Sequence, residues 1–267
     1  MHRRIIFNDL KNGLWRRIFL FLPIPLFVFF VAFSHMKQTA DYGSQGSFLS
    51  AVLAVMEGIK VIEDPSEFAF ISPFFILLYS WLILITAYYA YDDMKEYGIQ
   101  TFTRCGQKYS WWISKCIWNF CTVMLYYGLI YLTCFLVAVI WGNPSFTVDE
   151  TVWNFLFMAE KEMASGRTFF LYVFVLPVFT ALALSMAQMF LSITFSPIAG
   201  AAANILVLLV SISCLSQWLP GNYLMFLRMF LRIDEGVKFL PAFFVDIGLL
   251  IGSVWGGVVI LKKKDIF

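Results

Sequence analysis

The sequence predicts an all-α integral membrane protein with six transmembrane helices, and three observations support this fold class. Hydrophobic residues make up 61% of the 267 residues and charged residues only 13%. Mean hydropathy is +0.79, whereas soluble domains average about 25% charged residues and about 45–50% apolar ones. The apolar residues are also gathered into long runs, which lipid rather than water must cover. We therefore expect one transmembrane domain over residues 1–267.

Six apolar runs give the predicted spans, at about 18–33, 71–91, 111–141, 168–195, 197–219 and 239–261. The first is slightly short for a hydrocarbon core of ~30 Å. Pro23 and Pro25 lie near its start, where a helix tolerates proline best. The arginines before this run and the sequence Ala32-Phe33-Ser34 after it also fit a cleaved signal peptide, which stays open as an alternative.

The later runs and their connections carry three further structural signals. Pro177 lies inside the fourth run and predicts a kink there. Only Ser196 and Pro197 separate the fourth run from the fifth, which predicts a tight helical hairpin. The segment from Pro220 to Lys238 is amphipathic, so between spans 5 and 6 we expect short external helices that lie on, or re-enter, the outer leaflet.

The distribution of positive charge predicts that both termini are cytoplasmic. Twelve of the 19 Lys and Arg residues lie in the N-terminal segment, in and just after the connection between spans 2 and 3, and in the tail. The remaining seven are spread over the other long connections, two of which are also acidic. Cytoplasmic loops carry the excess of Lys and Arg, although the loop around Arg228 fits this rule least well.

Residues 4–17 predict an amphipathic helix that lies on the membrane. Apolar residues recur at steps of four on one face, and basic and amide residues occupy the rest of its circumference, a pattern typical of interfacial helices. The face consists of Ile6, Leu10, Leu14 and Ile18. A positively charged lead-in to the first span is the alternative interpretation.

The connection from Asp92 to Ser110 is the most informative stretch of the chain. Its central residues are compatible with a short helix that Gly106 ends. Charges of both signs flank the apolar side chains of Tyr97, Ile99 and Phe102. An exposed apolar patch rimmed by charge is typical of a docking surface for a protein partner. A solvated loop between two helices is the alternative.

The same stretch resembles the first cytoplasmic loop of the type-2 permeases of ATP-binding-cassette (ABC) transporters. The matching pattern is Glu96-x-Gly98, then Arg104-x-Gly106, then Trp111-Trp112 followed by Lys115. Cys105 departs from the family, which more often has proline or a small residue before this turn. The basic tail that closes on Asp265-Ile266, the basic N-terminal helix, the six spans and the tight hairpin are also similar to that family.

The resemblance implies a coupling helix that fits a groove on a separate ATPase subunit. Its residues would be Glu96, Tyr97, Gly98, Thr101, Phe102, Arg104 and Gly106. The N-terminal helix would be the elbow helix of the family. A second permease subunit, identical or homologous, would face this one in a bacterial plasma membrane, with the transport pathway between them. ATP and Mg²⁺ would bind to the partner ATPases.

The sequence contains no signature of its own chemistry. It has no GxxxxGK[ST], HExxH or GxSxG motif, so we expect no bound nucleotide and no catalytic residue on this chain. The two histidines and five scattered cysteines make a metal site or a disulfide framework unfavourable, and we expect no cofactor. The net charge of +2 gives no sign of nucleic-acid binding.

Two features of the sixth span are candidate sites. Asp246 is the only acid well inside a span, and an ionisable group at this depth marks either a polar point on a pathway, such as a proton relay, or a structural pair with Lys238 or the loop that carries Arg228 and Arg232. Small residues at a spacing of four allow close helix approach, and we expect packing within the chain rather than dimerisation. These are Gly248, Gly252 and Gly256.

The predicted function is that of a membrane subunit of an ABC exporter, powered by separate ATPases. External connections too small for a substrate-capturing domain favour a hydrophobic or amphipathic cargo, such as a peptide, an antibiotic or a lipid-like molecule. An immunity-type permease against membrane-active peptides is an alternative from the same family. A secondary carrier or channel is an alternative of another class, and a membrane-embedded enzyme is disfavoured by the missing paired acids and histidines.

Overall fold

Helices form the whole architecture of the described chain. The computed structural model describes residues 2–61, 73–95 and 108–263, and within these ranges it contains isolated β-bridges but no strand. We number the α-helices α1 (His2–Asp9), α2 (Pro23–Asp41), α3 (Phe48–Val55), α4 (Pro73–Ala87), α5 (Tyr89–Asp93), α6 (Lys108–Trp141), α7 (Gly166–Phe169), α8 (Leu176–Thr194), α9 (Pro197–Ser213) and α10 (Phe239–Lys263).

Five helical stretches are long and apolar enough to cross a membrane. They cover Ile5–Asp41, Pro73–Asp93, Lys108–Trp141, Gly166–Thr194 and Phe239–Lys262. The fifth predicted span, 197–219, is shorter than predicted, because α9 ends at Ser213 and has 17 residues. That length is at the lower limit for a membrane-spanning helix. The fold is therefore that of a helical membrane protein, as the hydropathy predicts.

The N-terminal region corrects the predicted boundaries of an interfacial helix over 4–17 and a span over 18–33. α1 ends at Asp9, and a π-helical turn and a 3₁₀ segment follow it, at Leu10–Leu14 and Trp15–Phe21. α2 begins only at Pro23, a residue that suits the first position of a helix. It continues past the apolar run because polar residues on its inner side, such as Thr39, are fully buried against the rest of the protein.

Pro177 produces the predicted irregularity in the fourth span. A π-helical segment, Phe170–Val175, follows α7, and regular α-helix resumes at Leu176. Because proline has no amide hydrogen, it cannot donate to the carbonyl of Val173 four residues earlier. The hydroxyl of Tyr131, on α6, donates to that carbonyl at 3.3 Å. A neighbouring helix thus supplies a hydrogen bond where the proline cannot.

The predicted tight hairpin joins α8 to α9. The amide of Ala199 donates to the hydroxyl of Ser196 at 3.2 Å, which makes Ser196 the N-cap of α9. Gly200 lies in the first turns of α9, where a Cβ atom would approach the carbonyl oxygen of Gln188 to 2.6 Å. Only glycine therefore allows the two helix backbones to come this close.

Three connections between the helices form one cap, at the end of the bundle opposite α1. We define the cap as residues 42–61, 142–165 and 214–238. Backbone hydrogen bonds join each connection to another, so the three behave as one layer rather than as separate loops. The linking amide–carbonyl pairs are Phe48–Asn143 (2.9 Å), Phe226–Met56 (2.8 Å) and Glu160–Arg232 (3.0 Å).

The segment predicted as short external helices is part of the cap and is inserted into the bundle. It forms 3₁₀ turns at Pro220–Leu224 and Phe226–Arg228. Tyr223 and Met225 are 0% exposed, because the first turn packs among α8, α9 and α10. Burial of this kind differs from an amphipathic helix that lies on a surface. We call residues 220–229 the plug.

Candidate functional site

A buried cluster of charged residues lies at the α1 end of the bundle. The ammonium of Lys115 is 2.6 Å from a carboxylate oxygen of Asp9 and 2.6 Å from one of Asp93. The side chain of Lys115 is 0% exposed, and those of Asp9 and Asp93 are 6% and 11% exposed. We call these three residues, with Tyr89, Trp111 and Ser114, the basal cluster.

Hydrogen bonds orient both carboxylates of the basal cluster. Asp9 accepts from the hydroxyls of Ser114 and Tyr89, the latter at 3.1 Å. Asp93 accepts from the indole N–H of Trp111 at 2.8 Å. Burying charges is unfavourable unless they are paired and hydrogen-bonded, and here each carboxylate has the ammonium and a neutral donor. Both buried carboxylates of the cluster therefore have an ion-pair partner and a hydrogen-bond donor.

Three separate elements build the basal cluster. Asp9 is the last residue of α1, Asp93 is the last residue of α5, and Lys115 lies in the first two turns of α6. Trp111 lies one turn before Lys115 on the same helix face, as i and i+4 residues do. The cluster thus fastens the N-terminal helix to the two helix ends that flank residues 94–107.

A close contact at Gly13 holds the N-terminal region against the same two helices. A Cβ atom at Gly13 would lie 2.3 Å from Cζ of Tyr89 and 2.6 Å from Nε1 of Trp118. The rings of Tyr89 and Trp118 are themselves 4.3 Å apart between centroids. The inner side of this region is therefore Asp9 and Gly13, whereas Ile18 of the predicted apolar face is 44% exposed.

The predicted coupling helix lies outside the described residues. All seven of its predicted residues fall in the gap between 95 and 108, and the closing residues Lys264, Asp265 and Ile266 also lie outside the described chain. Of the residues that carry the family resemblance, the described ones include Trp111 and Lys115. The structure brings these two together in the basal cluster.

A second polar region crosses the interior of the bundle between α4, α6, α8 and α9. The amide of Gln188 donates to the carbonyl of Ile83 at 2.8 Å. The amide of Asn204 donates to the side-chain oxygen of Gln188 at 2.8 Å, and that of Asn119 to Ser185 at 2.8 Å. We call Asn119, Ser185, Gln188 and Asn204 the interior seam.

A small, partly open cavity adjoins the interior seam. Its volume is about 20 Å³, and Ser185, Gln188 and Asn204 line it together with Tyr79 and with Leu224 of the plug. A space of this size holds about one water molecule. Leu224 thus brings the plug to the edge of the interior seam.

Asp246 is fully buried in α10, at 0% exposure. The hydroxyl oxygen of Thr180 is 2.6 Å from its Oδ2 atom, and Oδ1 has no hydrogen-bond partner among the described residues. The predicted structural pair with Lys238 or the Arg228 loop is not present in this part of the chain. Arg228 hydrogen-bonds other groups, and no described ion pair joins Asp246 to a cation.

The glycines of α10 correct the prediction of close packing within the chain. A Cβ atom at Gly256 would come within 2.8 Å of the ring of Phe190 on α8, so this glycine does serve close packing. Gly248 and Gly252 have no described atom within 4 Å of such a Cβ position. They lie on the exposed face of α10, where no described helix of this chain covers them.

Arg228 is the centre of the cap and is 1% exposed. Its guanidinium donates to the carbonyls of two residues in the first connection, to those of two residues at the end of α9, and to the side-chain oxygen of Asn222. The backbone acceptors are Ile59, Lys60, Ser211 and Ile212. Burial lowers the pKa of Arg228 to about 10, so the group remains charged at neutral pH. We call this set the Arg228 knot.

The described residues contain no group of three or more His, Cys, Asp or Glu side chains placed to hold a metal ion. Cys116, Cys121, Cys134 and Cys214 are free.

Several of these residues were not predicted from the sequence. The functional candidates that the sequence analysis missed are Asp9, Asp93, the interior seam and the knot. The signal that could have found the seam was the presence of Asn119, Gln188 and Asn204 inside apolar runs, because polar side chains at membrane depth need partners.

The chain belongs to the family described as "Protein of unknown function (DUF2705)", which matches residues 26–267. No curated protein matches the chain, and no solved structure matches it.

Proposed function

We propose that this member of the DUF2705 family is the permease subunit of an ABC exporter. Six helices, α9 included, would cross the plasma membrane with both termini in the cytoplasm, and a hydrophobic or amphipathic substrate would move outward. Separate ATPase subunits would bind ATP and Mg²⁺, and a second permease subunit would complete the pathway. The chain itself would not be an enzyme.

The observation that carries the proposal is the position of the basal cluster. Residues 96–106, which resemble a coupling helix, connect Asp93 to Lys108. The Asp93–Lys115 ion pair joins the two helices, α5 and α6, that flank this connection in the chain, and the Asp9–Lys115 ion pair joins the N-terminal helix to them. A displacement of the connection would therefore be transmitted to α1, α5 and α6 together, because the ammonium group of Lys115 pairs with residues of both other helices.

The orientation rests on charge and on the two different ends of the bundle. Counted by the predicted connections, the excess of Lys and Arg lies at the end that carries the basal cluster, which supports a cytoplasmic location. The cap would then face outward. Its backbone hydrogen bonds and the buried plug would seal the interior seam from the outside in the present conformation.

Affinity purification in mild detergent tests the proposal. The tagged wild-type protein should retain an ATPase subunit when purified from its native membrane. Glu96→Lys, or deletion of Gly98–Gly106, should abolish that retention and the coupled ATPase activity. A thermal melting curve in the same detergent should show that each variant is still folded.

Glu235→Lys provides the matched control, because Glu235 is an exposed acid in the cap. It should leave ATPase retention and coupled activity unchanged. An equal loss in the Glu96 and Glu235 variants would contradict docking at residues 96–106. Absence of any ATPase from the purified wild-type complex would contradict the exporter assignment as a whole.

A secondary carrier is the second candidate, and Asp246 is the observation that favours it. Fully buried acids in membrane helices are typical of ion-coupled transport. Vesicles that contain the purified chain without any ATPase distinguish the two functions. A carrier would respond to an imposed pH gradient in such vesicles, whereas the permease subunit would require its ATPases and ATP.

A further inference from the structure

The hydrogen-bond contacts of Thr180 indicate whether the carboxyl group of Asp246 carries a proton. Its hydroxyl oxygen is 2.6 Å from Oδ2 of Asp246 and 2.9 Å from the carbonyl oxygen of Leu176. A threonine hydroxyl has one hydrogen to donate and two lone pairs that accept. It cannot donate a full-strength hydrogen bond to both oxygens at once, so two full hydrogen bonds at these distances require a second hydrogen.

A protonated Asp246 supplies the missing hydrogen. The carboxylic acid then donates from Oδ2 to Thr180, and Thr180 donates to the carbonyl of Leu176. Both short contacts become hydrogen bonds, and the group without a partner, Oδ1, is a neutral carbonyl oxygen. The relay runs from α10 through Thr180 to the backbone of α8, so the bound proton holds the two helices together.

An ionised Asp246 would be poorly accommodated at the same place. It would have Thr180 as its single described donor, at 0% exposure, and burying an unpaired carboxylate is strongly unfavourable. From Leu176 to Thr194, α8 carries no ionisable side chain. On α6 the buried cation is Lys115, which is paired at the opposite end of the bundle.

The plug contains two titratable groups, Tyr223 and Arg228. Tyr223 lies close enough to Asp246 for an electrostatic interaction, and its hydroxyl donates to the carbonyl of Gln217 at 2.6 Å. Arg228 donates to the acceptors of the knot. In the rest of the connection before α10, Arg232 donates to the carbonyls of Phe157 and Leu227. Lys238 lies over the ring of Phe230, 5.5 Å from its centroid.

We propose that Asp246 is a proton-binding site, occupied at neutral pH, whose proton forms the hydrogen bond between α10 and α8. When the proton leaves to water, the Thr180 hydroxyl must turn from Leu176 to the carboxylate, and the new charge needs water or a cation. Loss of the proton therefore keeps a hydrogen bond between Thr180 and Asp246 but places an unsolvated charge between α8 and α10, which disfavours their close packing beside the plug. This inference concerns the chain alone and does not depend on the exporter assignment.

Infrared spectroscopy of the full chain in phosphatidylcholine vesicles at pH 7 tests the proposal. A protonated carboxylic acid has a C=O stretching band separate from the amide and carboxylate bands, and the band moves to lower frequency in D₂O. Asp246→Asn should remove one such band from the wild-type spectrum. Asp149→Asn is the matched control: Asp149 is an exposed carboxylate in the cap, so its replacement should leave the band in place.

A second pair of variants tests the relay itself and does not require that Asp246→Asn folds. Thr180→Val keeps the shape but removes the acceptor, so the acid band should move to higher frequency. Thr180→Ser keeps the hydroxyl and should leave the band near its wild-type position. A band unchanged in folded Thr180→Val, or wild-type and Asp246→Asn spectra that match in the acid region, would overturn the proposal.

Discussion

Among the residues that the structure describes, each end of the bundle has one fully buried cation, and the two are stabilised by opposite means. In the basal cluster, the ammonium of Lys115 lies between two carboxylates. In the Arg228 knot, the hydrogen-bond partners of the guanidinium are four backbone carbonyls and one amide oxygen. The first end is held by opposite charge, and the second by the number and geometry of neutral acceptors.

This difference indicates which property of each cation, its charge or its set of donors, stabilises its site. Two carboxylates with one lysine form a site whose stability depends on its charge balance, since removing the lysine leaves both carboxylates buried and unpaired. Carbonyls arranged around a planar fork instead require five donors in fixed directions, which arginine has and lysine lacks. Charge should therefore dominate at the basal cluster and donor geometry at the knot.

The largest effect is expected for Lys115→Met. Removing the ammonium leaves Asp9 and Asp93 as buried neighbouring carboxylates, and breaking a buried ion pair lowers stability by about 3–5 kcal/mol. The free energy of unfolding can be measured by SDS titration in mixed micelles. Adding Asp9→Asn and Asp93→Asn to the same variant should restore part of the loss, because no unpaired charge remains.

Asp234→Asn is the matched control for that experiment. Asp234 also pairs with a lysine, Lys161, but its side chain is 82% exposed. Exposed pairs contribute about 0–1 kcal/mol. If Asp234→Asn were as damaging as Lys115→Met, burial would not be the source of the difference between the two pairs.

Arg228→Lys tests whether donor geometry or charge stabilises the Arg228 knot, at the other end of the bundle. It keeps the positive charge but loses most of the donors, and buried carbonyls without partners should lower the free energy of unfolding by about 2–3 kcal/mol. Arg228→Met should be only slightly worse, if geometry dominates. A nearly wild-type stability for Arg228→Lys in the same titration would show that charge is what the knot needs.

A smaller effect is expected for Gly13→Ala, which tests how tightly the basal end is packed. The new methyl group would overlap Tyr89 and Trp118. We expect a loss of roughly 1–2 kcal/mol, within the range for overpacked sites. Gly128→Ala is the control, because a Cβ atom on this α6 glycine meets nothing within 4 Å. Alanine has a higher helix propensity than glycine, so Gly128→Ala should be slightly more stable than the wild type.

The smallest effect concerns a single carboxylate of the cap. Hydrogen bonds from the Ser44 hydroxyl and the Thr151 amide lower the pKa of Asp149 below its usual 3.8. A lowered carboxyl pKa stabilises the fold above the usual pKa, and this contribution is lost as the pH falls through the lowered value. Ser44→Ala should therefore be slightly less stable than wild type at pH 7 and equal to it under strongly acidic conditions. Thermal melting across this pH range measures the difference, and a gap that persists in acid would contradict it.

Hydropathy and proline chemistry predicted much of the fold. The helices that correspond to the second, third, fourth and sixth predicted spans begin and end within a few residues of the predicted boundaries wherever the structure describes them. The hairpin at Ser196 is where the sequence places it, and a π-helical segment precedes Pro177, where a kink is predicted. α2 extends to Asp41 although the apolar run ends at Phe33, because the buried side chains of His35 and Thr39 continue the helix. α9 is shorter than predicted because Cys214–Leu219 is apolar but belongs to the cap.

The candidate sites were harder to predict, since each depends on contacts between distant residues. Lys115 could be singled out from the sequence, yet its partners Asp9 and Asp93 lie in connections where an acid carries no special signal. Asp246 was predicted as a candidate, but its partner Thr180 is an ordinary residue of an apolar helix. The glycines of α10 form a clear sequence pattern, but the pattern does not show that only Gly256 of the three packs closely against a neighbouring helix.

The Arg228 knot also sets an order for assembly of the protein. Arg228 follows Ile59 by 169 positions and Lys60 by 168, so both carbonyls leave the ribosome long before their donor is made. Domains form from the N-terminus during synthesis at about 5–20 residues per second, and the first connection must therefore wait about ten seconds or more for its partner. Water or a chaperone has to satisfy these carbonyls meanwhile, and a chain truncated before residue 228 should reach the membrane with an open first connection that proteases can cut.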